Sequence, residues 1–333
     1  MTLTTRLTEY FGIEHPILSA PMALASGGRL AAAVTGAGGL GLIGGGYGDP
    51  SWLRTQITEA TGARVGYGFI TWRLTSGSEA LDLALAHRPA AVMLSFGDLH
   101  PFADRIRGAG VPLIGQIQTV AQARRALQAG VDVLVAQGGE AGGHGMSARS
   151  TFTLLPEVAD LVAAHAPETL VVAAGGVVDG RGLAAALMLG ADGVLVGTRL
   201  WASREALVSP RAQRRALDAG GDDTYRTGVY DIVRGLDWPA EYTARALRNS
   251  FGDTWHGRET ELRGALGEAV ADYQRAVADE DFDTAAVLVG EGVGQIGMVR
   301  SAADIVEDMA ADAERILRRA VTSARPAPTA PPA

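Results

Sequence analysis

The residues best placed to do chemistry fall in one stretch, Val135-Ala136-Gln137-Gly138-Gly139-Glu140-Ala141-Gly142-Gly143-His144-Gly145, where a short apolar run ends in a glycine-rich loop with one histidine. Glycines such as Gly142 and Gly143 let backbone pass close to a flat ligand, at an entropic cost a plain connector need not bear. Imidazole titrates near neutrality, so His144 could take a proton from a carbon acid or, protonated, hold an anion. Gln116 and Gln137 are amides at the ends of apolar runs, a placement that costs stability unless something hydrogen-bonds them. A heterocyclic cofactor is one such partner; water or backbone is the other. Two more runs end in Ala173-Ala174-Gly175-Gly176-Val177 and Val194-Leu195-Val196-Gly197-Thr198. The N–H groups of Gly175, Gly176, Gly197 and Thr198, with the Thr198 hydroxyl, could surround a phosphate dianion, the other reading being ordinary βα turns. His100 also follows an apolar run, whereas His15, His87 and His165 read as structural. Trp72, Trp201, Trp238 and Trp255 either line a pocket or pack a lid.

To bring these groups together the chain must repeat one unit. Apolar runs at 16–22, 40–46, 64–70, 91–96, 112–117, 132–137, 169–174 and 193–197 alternate with alanine-rich, helix-like stretches. Most are continuously apolar, as parallel strands covered on both faces are, and eight βα units predict a (β/α)8 (TIM) barrel of the α/β class. Helices are expected at 119–129 and 179–189, the second opened by an Asp179 cap and closed by Gly190. Beyond Trp201 charge and aromatics rise, and helix-like pieces at 210–219, 240–249 and 259–278 predict a helical lid domain inserted after the eighth strand. The expected division is 1–207 with 297–322 as barrel, 208–296 as lid and substrate domain, and 323–333 as a proline-rich disordered tail. The overlapping G-x-G-x-x-G matches between Gly36 and Gly44 do not signal a dinucleotide fold, because a helix precedes them and a strand grows out of them.

Composition narrows the chemistry. The 333 residues are 47% hydrophobic, enough for a large core, and carry a net charge of −8. No basic stripe or bilayer-length apolar run appears, so neither nucleic acid nor membrane is an expected partner, and a cytoplasmic location is the default expectation. The chain has no cysteine, and all 29 basic residues are arginine. That excludes thiolate nucleophiles, cysteine-held metals, Schiff-base lysines and the phosphate-loop lysine. No histidine pair has metal-ligand spacing, so no metal site is expected and an organic cofactor is the natural suspect.

Three motifs in order carry a resemblance: Pro16-Ile17-Leu18-Ser19-Ala20-Pro21-Met22; Gln137-Gly138-Gly139-Glu140-Ala141-Gly142-Gly143-His144; and Ala174-Gly175-Gly176-Val177-Val178-Asp179-Gly180, continuing through Gly190-Ala191-Asp192-Gly193 to Gly197-Thr198-Arg199. On these the chain resembles, nearly end to end, the nitronate monooxygenases, FMN-dependent (β/α)8-barrel enzymes. The resemblance implies that Ala20, Pro21 and Met22 contact the flavin ring and that Gln137 and Gly142 hold its polar edge. It places Gly175, Gly176, Gly197 and Thr198 at the phosphate, and His144 matches the family's active-site histidine. Gly143 and Gln116 join the expected FMN-binding set, as does Gly68, which stands where some members have a flavin-contacting asparagine. The chain also departs in having Gly145-Met146 where Arg-Gly is common, and in lacking the C-terminal lysine of one subgroup. The implied reaction is oxidation of an alkyl nitronate, or a nitroalkane, by FMN, with dioxygen yielding a carbonyl compound and nitrite. The small-molecule substrate and dioxygen are then the expected partners, with a homodimer as the candidate assembly. The alternative is an FMN-dependent enoyl-thioester reductase using NAD(P)H, which resembles the chain at the same flavin motifs.

Overall fold

The computed structural model describes residues 3–323; most of the expected tail at 323–333 lies outside them. Eight parallel strands form the barrel: β1 (Ile17–Ser19), β2 (Leu42–Gly44), β3 (Gly66–Ile70), β4 (Val92–Ser95), β5 (Leu113–Ile117) and β6 (Val133–Gln137), then, after the short β7 (Gly143–Gly145), β8 (Leu170–Ala174) and β9 (Gly193–Val196). Their order β1-β9-β8-β6-β5-β4-β3-β2 is closed by a parallel bridge between Leu18 and Leu40, with Ser19 N–H donating to the Leu40 carbonyl at 3.0 Å.

The strands read as unbroken apolar runs because both of their faces are buried. Leu18, Leu42, Met93, Ile114, Val133, Val135, Val172 and Leu195 fill the barrel interior. Their neighbours Ile17, Ile43, Val92, Leu113, Leu134, Val171 and Val194 pack outward against the helices. Side chains alternate across a strand, so one apolar run supplies two cores.

The helices between strands start and stop where side chains can cap them. Thr119 accepts from Gln122 N–H to open Val120–Gln128, and Asp179 accepts from Arg181 and Gly182 N–H to open Gly180–Met188. The glycines before β2 pack instead of binding a nucleotide. A Cβ on Gly39 would press on the Ile17 carbonyl, and one on Gly41 would overlap the Ala31 carbonyl. The helix Gly28–Gly36 precedes them and β2 follows.

The chain leaves the barrel after β9 and returns beside its own exit, where Ser203 pairs with Arg300 and Arg204 N–H donates to the Arg300 carbonyl. The helix Ala302–Ser323 then packs against Gly28–Gly36 and Gly180–Met188, closing the outer ring. It approaches so closely that a Cβ on Gly180 would collide with Asp312.

Between exit and return lie the helices Pro210–Leu217, Val229–Val233, Ser250–Trp255, Glu259–Gly264 and Leu266–Ala278. This segment also holds two strands, β10 (Thr224–Thr227) and β11 (Thr243–Leu247), which pair antiparallel. The helix expected at 240–249 is therefore corrected to a strand. Its alanines and arginines favour helix in isolation, but Ala244 and Ala246 alternate with Thr243 and Arg245 between buried and half-exposed faces. Pairing on both sides of β11 overrides propensity. Among the described residues no helix is long and apolar enough to cross a membrane.

The close packing of Gly41 yields a prediction. Gly41→Ala should lower unfolding free energy by about 1–3 kcal/mol, read as a shifted urea midpoint. Gly267→Ala, in a helix with open space around it, should raise it by about 0.5–1 kcal/mol.

Candidate functional site

In seven of the eight barrel strands the inward-facing row runs upward past the barrel core. Two residues beyond Leu18, Gly66, Met93, Ile114, Val135, Val172 and Leu195 stand Ala20, Gly68, Ser95, Gln116, Gln137, Ala174 and Gly197. All seven line one cavity of about 580 Å³ at the C-terminal end of the barrel. Five of them are glycine, alanine or serine, so the floor is low and even, with the two amides standing on one side. Pro21, Met22, Gly142, Gly143, His144, Gly175, Gly176 and Thr198 line the same cavity. His144 and the residues expected to bind FMN are thus brought to one place. His100 is not; it is half exposed and its Nδ1 lies 2.8 Å from Asp98.

The glutamines are satisfied differently from the sequence argument. The Gln137 carbonyl accepts from Gln116 at 3.0 Å and Gln118 at 2.8 Å, while its amide N–H donates to the His144 carbonyl at 3.4 Å. Protein groups therefore meet the burial cost of this amide, and Gln118 is a member of the network that sequence reasoning missed. Gly68 has a steric reason: a Cβ there would collide with the Pro21 ring. Pro21 occupies the volume that an asparagine at 68 would need.

The loop after β6 is not free coil. Its end, β7, adds to β11 as the edge of a three-stranded sheet, with His144 opposite Ala244. Arg226 on β10 and Arg245 on β11 are direct cross-strand partners, and both donate to the Gly139 carbonyl. Arg226 also donates to the carbonyls of Ala141, Gly145 and Thr243. Like charges placed opposite each other repel, and burial followed by Arg245 pulls the Arg226 pKa down to about 10. The carbonyls, with Glu291 at 2.8 Å from Arg245, offset this. On the other side of the loop, Glu140 accepts from Thr151 N–H at 2.9 Å, at the start of the helix Thr151–His165.

His144 is fixed on two sides. Its Nε2 lies 3.0 Å from both carboxylate oxygens of Asp231, and its ring stacks on Trp238 at 3.5 Å and 6°. Phe96, with left-handed backbone (φ 65°), packs edge-on to His144, Trp238 and Tyr242. A phenylalanine in that conformation persists only where surroundings hold it. Asp231 was not expected from the sequence, yet a signal existed: it is the lone acid in the apolar run Val229-Tyr230-Asp231-Ile232-Val233, and a buried acid needs a partner. With Nε2 engaged by Asp231, Nδ1 is the nitrogen left for a ligand.

The far end of the cavity suits an anion. Gly175 and Gly176 have φ of +97° and +73°, so their backbone takes a course L side chains resist. The Thr198 hydroxyl accepts the Gly290 N–H at 2.9 Å, which leaves its own proton to donate. Among the described residues no cluster could hold a metal ion.

A sequence model of the nitronate monooxygenase family matches residues 4–65 and 72–312. The chain is 32% identical over 361 residues to a nitronate monooxygenase of Neurospora crassa, covering 95% of this chain and 94% of that one. Among solved structures, FabK from Thermotoga maritima superposes with a TM-score of 0.84 at 32% identity, over 97% of this chain and 100% of that one. A nitroalkane oxidase from Streptomyces ansochromogenes gives a TM-score of 0.76 at 26% identity, over 95% and 100%.

Arg226 is the test of how this loop is held. Arg226→Met should cost about 3 kcal/mol of stability by leaving carbonyls without donors. Hydrogen exchange should quicken across 138–145 more than in the barrel strands.

Proposed function

Because the chain belongs to the nitronate monooxygenase family, we propose that it is an FMN-dependent enzyme that oxidises alkyl nitronates with dioxygen to a carbonyl compound and nitrite. The observation that carries this reading is His144, clamped by Asp231 and Trp238 at the wall of a low-floored cavity.

The residues present fit a flavin. The seven-residue floor, five of whose members are glycine, alanine or serine, accepts a flat ring, and Pro21 and Met22 border it. Beyond the bonds they make to each other, to Gln118 and to the His144 carbonyl, Gln116 and Gln137 would turn their remaining amide atoms to the ring's polar edge, next to Gly142 and Gly143. Gly175, Gly176, Gly197 and the free Thr198 hydroxyl proton would hold the phosphate. Bound there, the flavin supplies electron acceptance and the reaction with dioxygen.

The protein supplies position and proton control. Asp231 sets the orientation of the His144 ring and favours a proton on Nε2, as a carboxylate does for an imidazole base. Nδ1 then faces the substrate as acceptor. With a neutral nitroalkane it takes the α-proton; with a nitronate already formed, the protonated ring holds the anion's oxygens. Stacking on Trp238 prevents the ring from swinging away. In this reading 208–296 acts as the lid, delivering Asp231 and Trp238 and excluding water from the reacting atoms.

The test is nitrite release from FMN-loaded protein given an alkyl nitronate in air. His144→Ala should lower kcat/KM by about 10²- to 10⁴-fold, and Asp231→Asn by on the order of 10- to 100-fold. Turnover unaffected by His144→Ala would remove the proposed site. Absence of nitrite with wild-type protein, together with NAD(P)H oxidation stimulated by an enoyl thioester, would put the reductase reading in its place.

A further inference from the structure

The cavity extends beyond the layer that fits a flavin. Its wall includes Tyr47 and Arg234, close to Trp238 and His144, and also an apolar gallery formed by Leu207, Val277, Phe282, Ala286 and Leu288. Three aliphatic side chains of its lining are exposed: Leu24 at 51%, Leu207 at 38% and Val277 at 52%. Single exposed apolar residues are ordinary, but three lining one cavity form a surface that something should cover. Leu24 also holds left-handed backbone (φ 61°), a conformation a leucine keeps only under constraint.

Arg234 gives this space its polarity. It caps the helix Val229–Val233, three residues after Asp231, so the turn that brings a carboxylate to His144 also brings a guanidinium beside the Tyr47 hydroxyl. Trp238 N–H donates to that same hydroxyl at 3.2 Å. Arg245, by contrast, is neutralised by Glu291 at 2.8 Å. Among the described residues no carboxylate lies within ion-pair distance of Arg234. The acids that line the cavity are Glu140, whose oxygens accept from Thr151, and Glu280, which follows Val277 at the outer end.

We infer that Arg234 is the residue that binds the substrate's anionic head, nitronate or carboxylate, and that the gallery selects among such anions by the length of their aliphatic body. The inference rests on the nitronate reading for which head reacts, and not for which molecules bind. A flexible chain in a preformed apolar channel gains from each methylene it buries. A planar anion offers the guanidinium two acceptors in its fork.

Calorimetric titration of the FMN-loaded protein with butyrate, hexanoate and octanoate measures binding without turnover. Each added methylene should tighten Kd about threefold to fourfold until the gallery is filled. Arg234→Gln should weaken every length by on the order of tenfold, Arg234→Lys should recover part of that loss, and Val277→Asp should remove the gain with length while sparing butyrate. With alkyl nitronates, Arg234→Gln should raise KM and leave kcat nearly unchanged. A wild-type Kd indifferent to chain length would overturn the inference, and so would carboxylate binding and nitronate KM values unchanged in Arg234→Gln. If carboxylates bind in the expected pattern but nitronates are not oxidised, the nitronate reading fails and the inference stands. If nitronates are oxidised with the same KM in both proteins, the reverse holds.

Discussion

Alternation along a parallel strand is the constraint on which this molecule depends. Once Val133 and Val135 point into the barrel, Gln137 must point to the space above it, and the same rule carries Leu18 to Ala20, Met93 to Ser95 and Leu195 to Gly197. The interior is filled by branched apolar side chains and so leaves no room for a ligand. The next layer is small, so the ligand space begins there. Core and cavity floor are therefore one pattern read at two heights. A one-residue slip in any strand would exchange the floor residue for one that faces a helix.

A second constraint is that a glycine-rich loop has no side chains with which to hold its own shape. The chain solves this from outside. Arg226 and Arg245 collect carbonyls of the loop from one side, Glu140 docks on Thr151 from the other, and β7 is zipped to β11. Burial of Arg226 and, after it, the facing Arg245 guanidinium both lower the Arg226 pKa, a cost the loop's carbonyls offset. What the two arginines secure is the position of His144 relative to the barrel, since the sheet ties that loop to the segment carrying Asp231 and Trp238. Barrel and covering segment meet at the imidazole, and neither alone would orient it.

Much of the barrel was legible because burial on both faces leaves runs that stand out from the alanine-rich helices. The runs at 16–22 and 40–46 overstate the strands, which are Ile17–Ser19 and Leu42–Gly44, because their upper residues turn into the cavity rim. The stretch 240–249 reads as helix because its residues are good helix formers, and only pairing with β10 and β7 makes Thr243–Leu247 a strand. His144 and the glycines were legible from placement at strand ends. Asp231 and Trp238 were not assignable, being 87 and 94 positions away from His144 in the chain. Their meeting is a product of the fold, although the lone acid among Val229, Tyr230, Ile232 and Val233 marks a buried charge in search of a partner.

Nitronate oxidation in this cavity is read most directly from the visible absorbance of the FMN-loaded protein as an alkyl nitronate is added in the absence of oxygen. If nitronate is oxidised at this site, the oxidised flavin spectrum is lost on mixing and returns when air is admitted, with nitrite formed. A spectrum that nitronate leaves unchanged would contradict oxidation at this site, and a protein that does not retain FMN would contradict the assignment of the cavity itself.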